Sequence, residues 1–345
     1  MRDDRTRVYI TIDVECAEER GAEGRVRPPI GYDVRVWGRL VNQREPLGIE
    51  RIMRELEACG QRGTFYMESL GARYFGVAKL REICAAIRAR GHDVQLHMHP
   101  IQRRADFMSR GEQRAPDDIA AYAPAEQEAL LREGKSLLVE AGVPESEIVS
   151  YRAGNFGASN AVWGAMKGAG IALSSNYNPC YFSKNCRMRL DEPALGLFVS
   201  PEEGVWELPI TNFQEVRGGY RHLQISAVSV GETIRCLRRY RALGVREVTL
   251  VTHSFEFFFL DDPERRRGRP NQINLERLRG VSRYLQQHAD EFEVDTVGAL
   301  GQRLLKGEER AQPVRGAYPR LGPIPYARRL AEQALKRVAQ RATFK

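Results

Sequence analysis

Short apolar runs alternate with amphipathic segments along most of this chain. The apolar runs are rich in branched and aromatic side chains and predict strands buried on both faces, at 8–14, 62–67, 92–99, 148–153, 170–175, 205–210, 247–253 and 292–296. The amphipathic segments predict helices, most of them ending before a glycine, at 49–59, 80–90, 124–141, 231–243 and 271–288. Strands that alternate with helices indicate a parallel sheet, and this many units indicate a closed or nearly closed barrel.

Two long polar segments, 16–47 and 100–123, follow strand ends and contain proline and glycine. Loops on this side of an α/β barrel usually build the active site. We find no linker that divides the barrel, so we predict one domain over 1–305, followed by a proline-containing linker and a basic helix over 306–345.

The predicted C-terminal helix spans Tyr326 to Lys345 and carries mostly basic side chains on its polar side. One interpretation is peripheral contact with a membrane surface or a docking partner. The other is a helix that packs on its own barrel with a solvated basic face. The apolar side is rich in alanine and lacks tryptophan, which favours the second interpretation.

Composition narrows the class of protein. Hydrophobic residues make up 42% and charged residues 28% of the 345 residues, which is typical of a globular domain. The net charge is +8, but no aromatic stripe is interleaved with the basic residues, so we expect no nucleic-acid partner. No apolar signal region precedes the first strand, so we expect a cytoplasmic protein with reduced cysteines. Cys180 and Cys186 would pair only in an oxidising compartment.

Polar side chains occupy alternate positions where two of the predicted strands end. His97 and His99 close one strand, and Asp13 and Glu15 close another. Residues i and i+2 of a strand point to the same side, so each pair projects together. Two imidazoles and one or two carboxylates would form a divalent metal site of the kind hydrolases use to activate water. The alternatives are a solvated histidine pair and carboxylates that only cap a turn.

Four motifs follow one another in a recognisable order, each at a predicted strand end. They are Thr11-Ile12-Asp13-Val14-Glu15, the run from Gly91 to Pro100, Tyr151-Arg152-Ala153-Gly154-Asn155-Phe156, and the run from Thr249 to Phe255. In this order and placement the chain resembles the polysaccharide deacetylase family, that is, the NodB-homology proteins of carbohydrate esterase family 4. The resemblance extends from about residue 8 to about residue 300.

The resemblance implies a single distorted (β/α)7-type barrel and a divalent metal, most often zinc, held by one carboxylate and two histidines. It implies Asp13 as the catalytic base and Arg152 as the residue that orients it. It also implies His253 as the general acid that protonates the leaving amine. The metal ligands would be Glu15, His97 and His99, although Asp13 and Glu15 could exchange roles.

The chain departs from the family pattern at three positions. Val14 stands where the family usually has its metal carboxylate, which is why Glu15 is assigned that role. Ile101 stands at the usual spacing of the second histidine, which His99 would replace. Leu173 replaces an aspartate that pairs with the arginine or tunes the late histidine, and Asp295 or Glu256 would have to compensate.

We therefore predict a metal-dependent hydrolase that removes an N-acetyl or similar acyl group from an amino sugar. Its partner would be an N-acylated sugar or glycan precursor, such as a cytoplasmic sugar nucleotide used in surface polysaccharide biosynthesis. Two alternatives remain open: hydrolysis of another non-peptide C–N bond, and a catalytically inactive barrel that binds a glycan or a partner.

Overall fold

The computed structural model describes residues 4–18, 20–22, 25–104, 115–216, 218–323, 329, 330 and 332, with backbone only for 20–22, 25–27 and 104. Fifteen strands are formed by these residues: β1 (Thr6–Val14), β2 (Arg20–Ala22), β3 (Arg25–Arg27), β4 (Thr64–Glu68), β5 (Asp93–Met98), β6 (Ser150–Ala153), β7 (Leu173–Ser174), β8 (Phe198–Val199), β9 (Trp206–Glu207), β10 (Asn212–Gln214), β11 (Tyr220–His222), β12 (Glu247–His253), β13 (Phe258–Asp262), β14 (Arg267–Pro270) and β15 (Phe292–Asp295).

The same residues form nine α-helices: α1 (Tyr32–Arg35), α2 (Ile49–Glu57), α3 (Ala72–Phe75), α4 (Val77–Ala89), α5 (Pro124–Glu140), α6 (Ala161–Gly168), α7 (Val230–Ala242), α8 (Gln272–Gln287) and α9 (Val297–Leu305). Short 3₁₀ turns follow several strands. None of the described helices is long and apolar enough to cross a bilayer. The six cysteines are free in the structure.

The main sheet contains nine strands in the order β12-β1-β4-β5-β6-β7-β9-β8, with β15 beside the first half of β1. All its pairs are parallel except β8 with β9. The curled parallel sheet confirms the predicted distorted (β/α) barrel. All eight predicted strands and the five helices predicted within the barrel are present, and their ends differ by a few residues. The prediction missed α6 and α9, whose sequences run into neighbouring apolar segments.

The barrel is completed on one side by irregular backbone. The outer edge of β12 is covered by the segment around β11, where the Leu223 carbonyl accepts from Val251 N at 2.8 Å and Ile225 N donates to the Val251 carbonyl at 2.9 Å. The Thr211 hydroxyl accepts from Thr249 N at 2.9 Å. These bonds satisfy strand groups that would otherwise be unpaired, so β12 does not present an open edge.

The described part of the first insertion packs against the β13–β14 hairpin, and together they form a rim at the barrel's carboxyl end. Asn42 Nδ2 donates to the Gly268 carbonyl at 2.9 Å, and Val41 N donates to the carbonyl of Arg266. Beneath these bonds a small apolar cluster joins the first insertion to the hairpin, formed by Val34, Leu40, Leu47 and Phe258. The rim is therefore fixed by its own packing and is not merely a pair of independent loops.

Most of the predicted C-terminal helix, 326–345, lies outside the described residues, so its helical span and amphipathic face stay predictions. Two of its charged side chains are described and both contact the barrel. Arg329 is buried and donates to Glu215 Oε1 at 2.6 Å. Arg277 makes two bonds to Glu332, at 2.9 and 3.0 Å. These contacts agree with packing of this segment on its own barrel.

The proline-containing segment before that helix also packs on the barrel. Tyr318 and Leu321 are both buried, and the Val314 carbonyl accepts from Leu195 N at 2.9 Å. The predicted division between 1–305 and 306–345 stays a prediction, but the second part is not a free tail over 313–322.

Glu247 makes the stability of the barrel depend on pH. Its side chain lies at the buried start of β12, where burial raises its pKa to about 7. A folded-state pKa above the unfolded value means that the folded protein loses stability as the pH rises from about 4.5 through about 7. We expect Glu247→Gln to raise the free energy of unfolding by about 1–3 kcal/mol at pH 8 and to change it little at pH 4.5.

Urea unfolding of both proteins between pH 4.5 and pH 8 measures this difference. Glu264→Gln, at an exposed hairpin position, is the control and should show no such trend. A gain for Glu247→Gln that is equal at both ends of the pH range would contradict the prediction.

Candidate metal centre

The five polar side chains that the motifs single out meet where three parallel strands end. Asp13 lies on β1, and Glu15 is the first residue after that strand. His97 lies on β5, and His99 is the first residue after that strand. His253 ends β12, directly opposite Asp13 in the pairing register. The structure thus brings together both predicted pairs and the late histidine.

Glu15 lies at the centre of this cluster. Its Oε1 atom is 3.2 Å from His97 Nε2 and 3.4 Å from His99 Nε2. It is also 3.7 Å from His253 Nε2. Donor atoms of Glu15, His97 and His99 all lie within 4.8 Å of one another, and a second such group joins Glu15 to Asp13 and His253. Burial opposes ionisation of Glu15, but the neighbouring His99 and His97 outweigh it and hold its pKa well below the usual range.

The two histidines are oriented as metal ligands would be. His97 Nδ1 is 2.9 Å from the carbonyl oxygen of Arg152, which can only accept, so Nε2 is the ring nitrogen left to face Glu15 and a bound metal ion. His99 Nδ1 is 2.8 Å from Asp117 Oδ2, which leaves its buried Nε2 facing Glu15 Oε1 at 3.4 Å. A carboxylate and two imidazole nitrogens facing one point suit a divalent ion such as zinc. The residues present therefore fit the metal that the motifs predict.

The backbone that follows β6 makes room for His99. A Cβ atom at Gly154 would lie 2.5 Å from His99 Nδ1, so no larger residue fits there without displacing the ring. Asn155 and Phe156 have φ of 55° and 53°, a left-handed conformation that is strained for residues with side chains. Asn155 Nδ2 donates to Asp117 Oδ2 at 2.8 Å. The strained turn thus helps to fix the carboxylate that holds His99.

We expect Asp117→Ala to weaken metal binding about 10–100-fold, the usual effect of losing a partner behind a ligating histidine. The reason is that His99 would lose the acceptor that fixes its tautomer and ring orientation. Competition with a chromophoric chelator measures the metal affinity.

The neighbouring Asp118→Ala is a matched control, because the Asp118 carboxylate accepts from Asn185 and not from a proposed metal ligand. Unchanged affinity in Asp117→Ala, or an equal loss in the control, would contradict a role for Asp117.

Asp13 and Arg152 form a buried ion pair beside the cluster. Arg152 Nη1 donates to Asp13 Oδ1 at 2.6 Å, and Nη2 donates to Ser175 Oγ at 3.1 Å. The guanidinium lies 4.1 Å above the ring centre of Tyr66. Arg152 thereby fixes one carboxylate oxygen of Asp13, and the other, Oδ2, is 4.0 Å from His253 Nε2. This is the geometry that the predicted pairing requires.

His253 is held from behind by Glu256, which is 3.3 Å from its Nδ1. The same carboxylate accepts from Ser226 Oγ at 2.6 Å, Thr252 Oγ1 at 2.7 Å and Gln224 Nε2 at 2.5 Å. Burial lowers the pKa of His253, but Glu256 outweighs it and the pKa is about 9. Burial raises the pKa of Glu256, but His253 and the hydroxyl donors bring it to about 2.

The structure shows which of Asp295 and Glu256 takes the place of the aspartate that Leu173 replaces. Leu173 is fully buried among apolar side chains and presents nothing polar to the site. Asp295 forms an ion pair with Arg303 at 2.5 Å and lies beside Tyr9 in the first half of β1, away from Asp13. Glu256, three residues after His253, reaches the imidazole instead. Support for the late histidine therefore comes from its own loop.

Two other conspicuous polar residues lie elsewhere. His92 accepts from Gly63 N at 3.0 Å and lies 3.0 Å from Glu57, so it joins the start of β4 to the end of α2 and is structural. Glu207 is buried and accepts from Trp163 Nε1 at 3.0 Å. Its carboxylate is turned into the core, away from the cluster.

The cluster forms the floor of a cleft of about 270 Å³. Aromatic and cationic side chains join the carboxylates and histidines in its walls. The described lining residues are Asp13, Glu15, Cys16, Glu18, Arg35, His97, His99, Gln102, Asp117, Ala153, Asn155, Phe156, Tyr181, His253 and Phe255. A polar floor with aromatic walls suits a sugar, whose faces are apolar and whose edges carry hydroxyl groups.

Asp117 and Arg35 were not predicted from the sequence, because both lie in long insertions and contact site residues that are distant from them in the chain. Nothing local distinguishes Asp117 from Asp118. Glu256 carried a weak local signal, because an acid three residues after the residue that ends a strand can cap the turn that follows.

No protein-family model matches the chain, and no curated protein matches its sequence. Solved structures do match its fold. A protein of Mycobacterium smegmatis provisionally assigned as a polysaccharide deacetylase has a TM-score of 0.52 at 15% identity, and the match covers 90% of this chain and 94% of that one. A 4-alpha-glucanotransferase from Thermococcus litoralis has a TM-score of 0.52 at 10% identity, with 93% and 42% covered. A family 4 carbohydrate esterase from Streptomyces lividans has a TM-score of 0.41 at 10% identity, with 91% and 98% covered.

The resemblance to polysaccharide deacetylases is confirmed at the level of the fold. At these identities the likeness shows the fold alone. An equally similar barrel belongs to a glucanotransferase, so the fold does not determine the reaction. The chemistry has to be argued from the side chains of this chain.

Proposed function

We propose that this protein is a metal-dependent hydrolase that removes an acetyl or similar acyl group from the nitrogen of an amino sugar. The observation that carries the proposal is the convergence of Glu15, His97 and His99 on one point, with the Nε2 atoms of both histidines facing Glu15 Oε1 at 3.2 and 3.4 Å. Glu15 is assigned as the ligand, because Asp13 is engaged by Arg152.

A divalent ion bound there supplies Lewis acidity, which polarises an amide carbonyl and lowers the pKa of a water molecule. The chain's own groups perform the proton transfers. Asp13 accepts the proton of the attacking water at Oδ2, the oxygen that Arg152 leaves available. His253 donates a proton to the leaving amine nitrogen from Nε2, since Glu256 engages its Nδ1. An amine is a poor leaving group until it is protonated, so this second transfer is essential to amide hydrolysis.

Metal content and acyl release test the proposal together. Wild-type protein loaded with zinc should hold about one ion per chain and release acetate from N-acetylated amino sugars. His97→Ala/His99→Ala should lose both properties. A matched control, His288→Gln, changes a histidine that stacks on Tyr284 away from the cleft and should retain both.

The rival functions give different results. A binding module would hold sugar without releasing acetate, and would retain that binding in His97→Ala/His99→Ala. A hydrolase of other C–N bonds would bind metal and release no acetate from any amino sugar, but would open cyclic amides. Either result would refute the deacetylase assignment.

The finer assignments remain part of the proposal. A cytoplasmic glycan or sugar-nucleotide precursor as substrate, and membrane contact through the C-terminal segment, rest on sequence composition. Cell fractionation of the tagged full chain tests the location and the membrane contact, and acetate release from a sugar nucleotide tests the substrate.

A further inference from the structure

Arg35 brings a positive charge to a cleft lined largely by acids. Among the described residues that line the cleft, it alone has an arginine or lysine side chain, while Glu18 and Asp117 add to the carboxylates of the metal centre. An arginine in such a place has a simple structural explanation, namely compensation of nearby acids. The contacts that position the Arg35 guanidinium indicate a more specific role.

The Arg35 guanidinium lies over an aromatic ring. Arg35 Cζ lies 3.6 Å from the ring centre of Phe255, a close cation–π contact. Phe255 lies two residues after His253, and their ring centres are 5.1 Å apart. Guanidinium, phenyl ring and imidazole therefore follow one another along one wall of the cleft, with the imidazole tilted 36° from the phenyl ring, and we call these three groups the stack.

The rest of the rim fixes this stack in place. Arg35 ends α1, whose Val34 packs in the small apolar cluster that joins the first insertion to the β13–β14 hairpin. Phe255 packs against the same cluster. A pre-positioned guanidinium loses little freedom when it binds, and its planar fork matches the oxygens of a carboxylate or phosphate.

We infer that Arg35 and Phe255 form a recognition site for an anionic group on the substrate. The inference rests on the proposed function, which places the leaving nitrogen at His253. The sugar that bears this nitrogen then lies along the stack, so its own carboxylate or phosphate, or that of the adjoining unit, meets Arg35. The substrate class becomes an N-acylated amino sugar that carries a negative charge.

Equilibrium binding tests the inference separately from hydrolysis. We would titrate N-acetylglucosamine 1-phosphate, N-acetylmuramic acid and neutral methyl N-acetylglucosaminide into zinc-loaded and metal-free protein. Arg35→Met keeps the apolar stem on Phe255 while removing the charge. Arg39→Ala is the matched control, because Arg39 lies in the same insertion and stacks on Trp37 at 4.5 Å but does not line the cleft.

We expect the wild type and Arg39→Ala to bind at least one anionic sugar roughly ten-fold tighter than the neutral one, the scale of one charge-assisted hydrogen bond. Arg35→Met should lose this preference without weaker binding of the neutral sugar. The two anionic probes separate phosphate from carboxylate. Equal affinities in the wild type, a preference that survives in Arg35→Met, or a preference seen only with zinc would overturn the inference. Absent acetate release with an intact preference would refute the proposed function alone.

Discussion

Replacing Arg152 by methionine is expected to lower the free energy of unfolding by about 3–5 kcal/mol and to abolish hydrolysis. The guanidinium is fully buried, and its loss would strand the Asp13 carboxylate, which is only 2% exposed. A buried charge without its partner costs far more than a lost surface pair. Urea unfolding measures the first effect, and acetate release from an N-acetylated sugar measures the second.

Two further variants separate stability from catalysis. Asp13→Asn/Arg152→Met removes both charges, so we expect part of the stability to return while hydrolysis stays absent. Arg90→Met breaks a pair of similar geometry, 2.6 Å from Glu57, but that pair is partly exposed and should be worth at most about 1 kcal/mol. If Arg152→Met and Arg90→Met lower the free energy of unfolding equally, burial does not make the loss of the Arg152–Asp13 pair more costly.

Replacing His253 by glutamine is expected to lower kcat about 10²–10⁴-fold, the range for loss of a general acid. Metal content should not change, because the proposed ligands are Glu15, His97 and His99 and do not include His253. Stopped assays of acetate release on zinc-loaded protein, with metal analysis of the same samples, measure both quantities.

Glu256→Gln refines this prediction. The imidazole would remain but would lose its charged partner, so kcat should fall by less than in His253→Gln while KM stays close to that of the wild type. Loss of metal from His253→Gln would make His253 a ligand and would require a different general acid.

The fold was predictable from the sequence because its strands are short, continuously apolar and separated by helices that end at glycine. Each such signal is local. The prediction failed where local pattern is weak, as at α6 and α9, whose residues are nearly all apolar or small. It could not foresee that the segment around Leu223 would complete the barrel, because that depends on which backbone groups remain unpaired at the edge of β12.

The candidate site was predictable only where geometry follows from spacing. Asp13 with Glu15 and His97 with His99 share a face because they are two residues apart on strands. The partners that orient these groups, such as Asp117, come from elsewhere in the chain and carry no spacing signal. The role of Arg152 was predicted without a spacing signal, because only the order of the motifs connected this residue with Asp13.

The position of β1 constrains how this protein is made. It is the first of the described strands along the chain, yet its neighbours include β12 and β15, whose residues lie more than 230 positions later in the register. A nascent chain can pair β1 with β4 early but must leave its other edge open until residue 253 has emerged. Such long-range pairing slows folding and exposes an apolar edge to aggregation. Production of this protein should therefore respond to slower synthesis and to chaperones more than to changes in its surface.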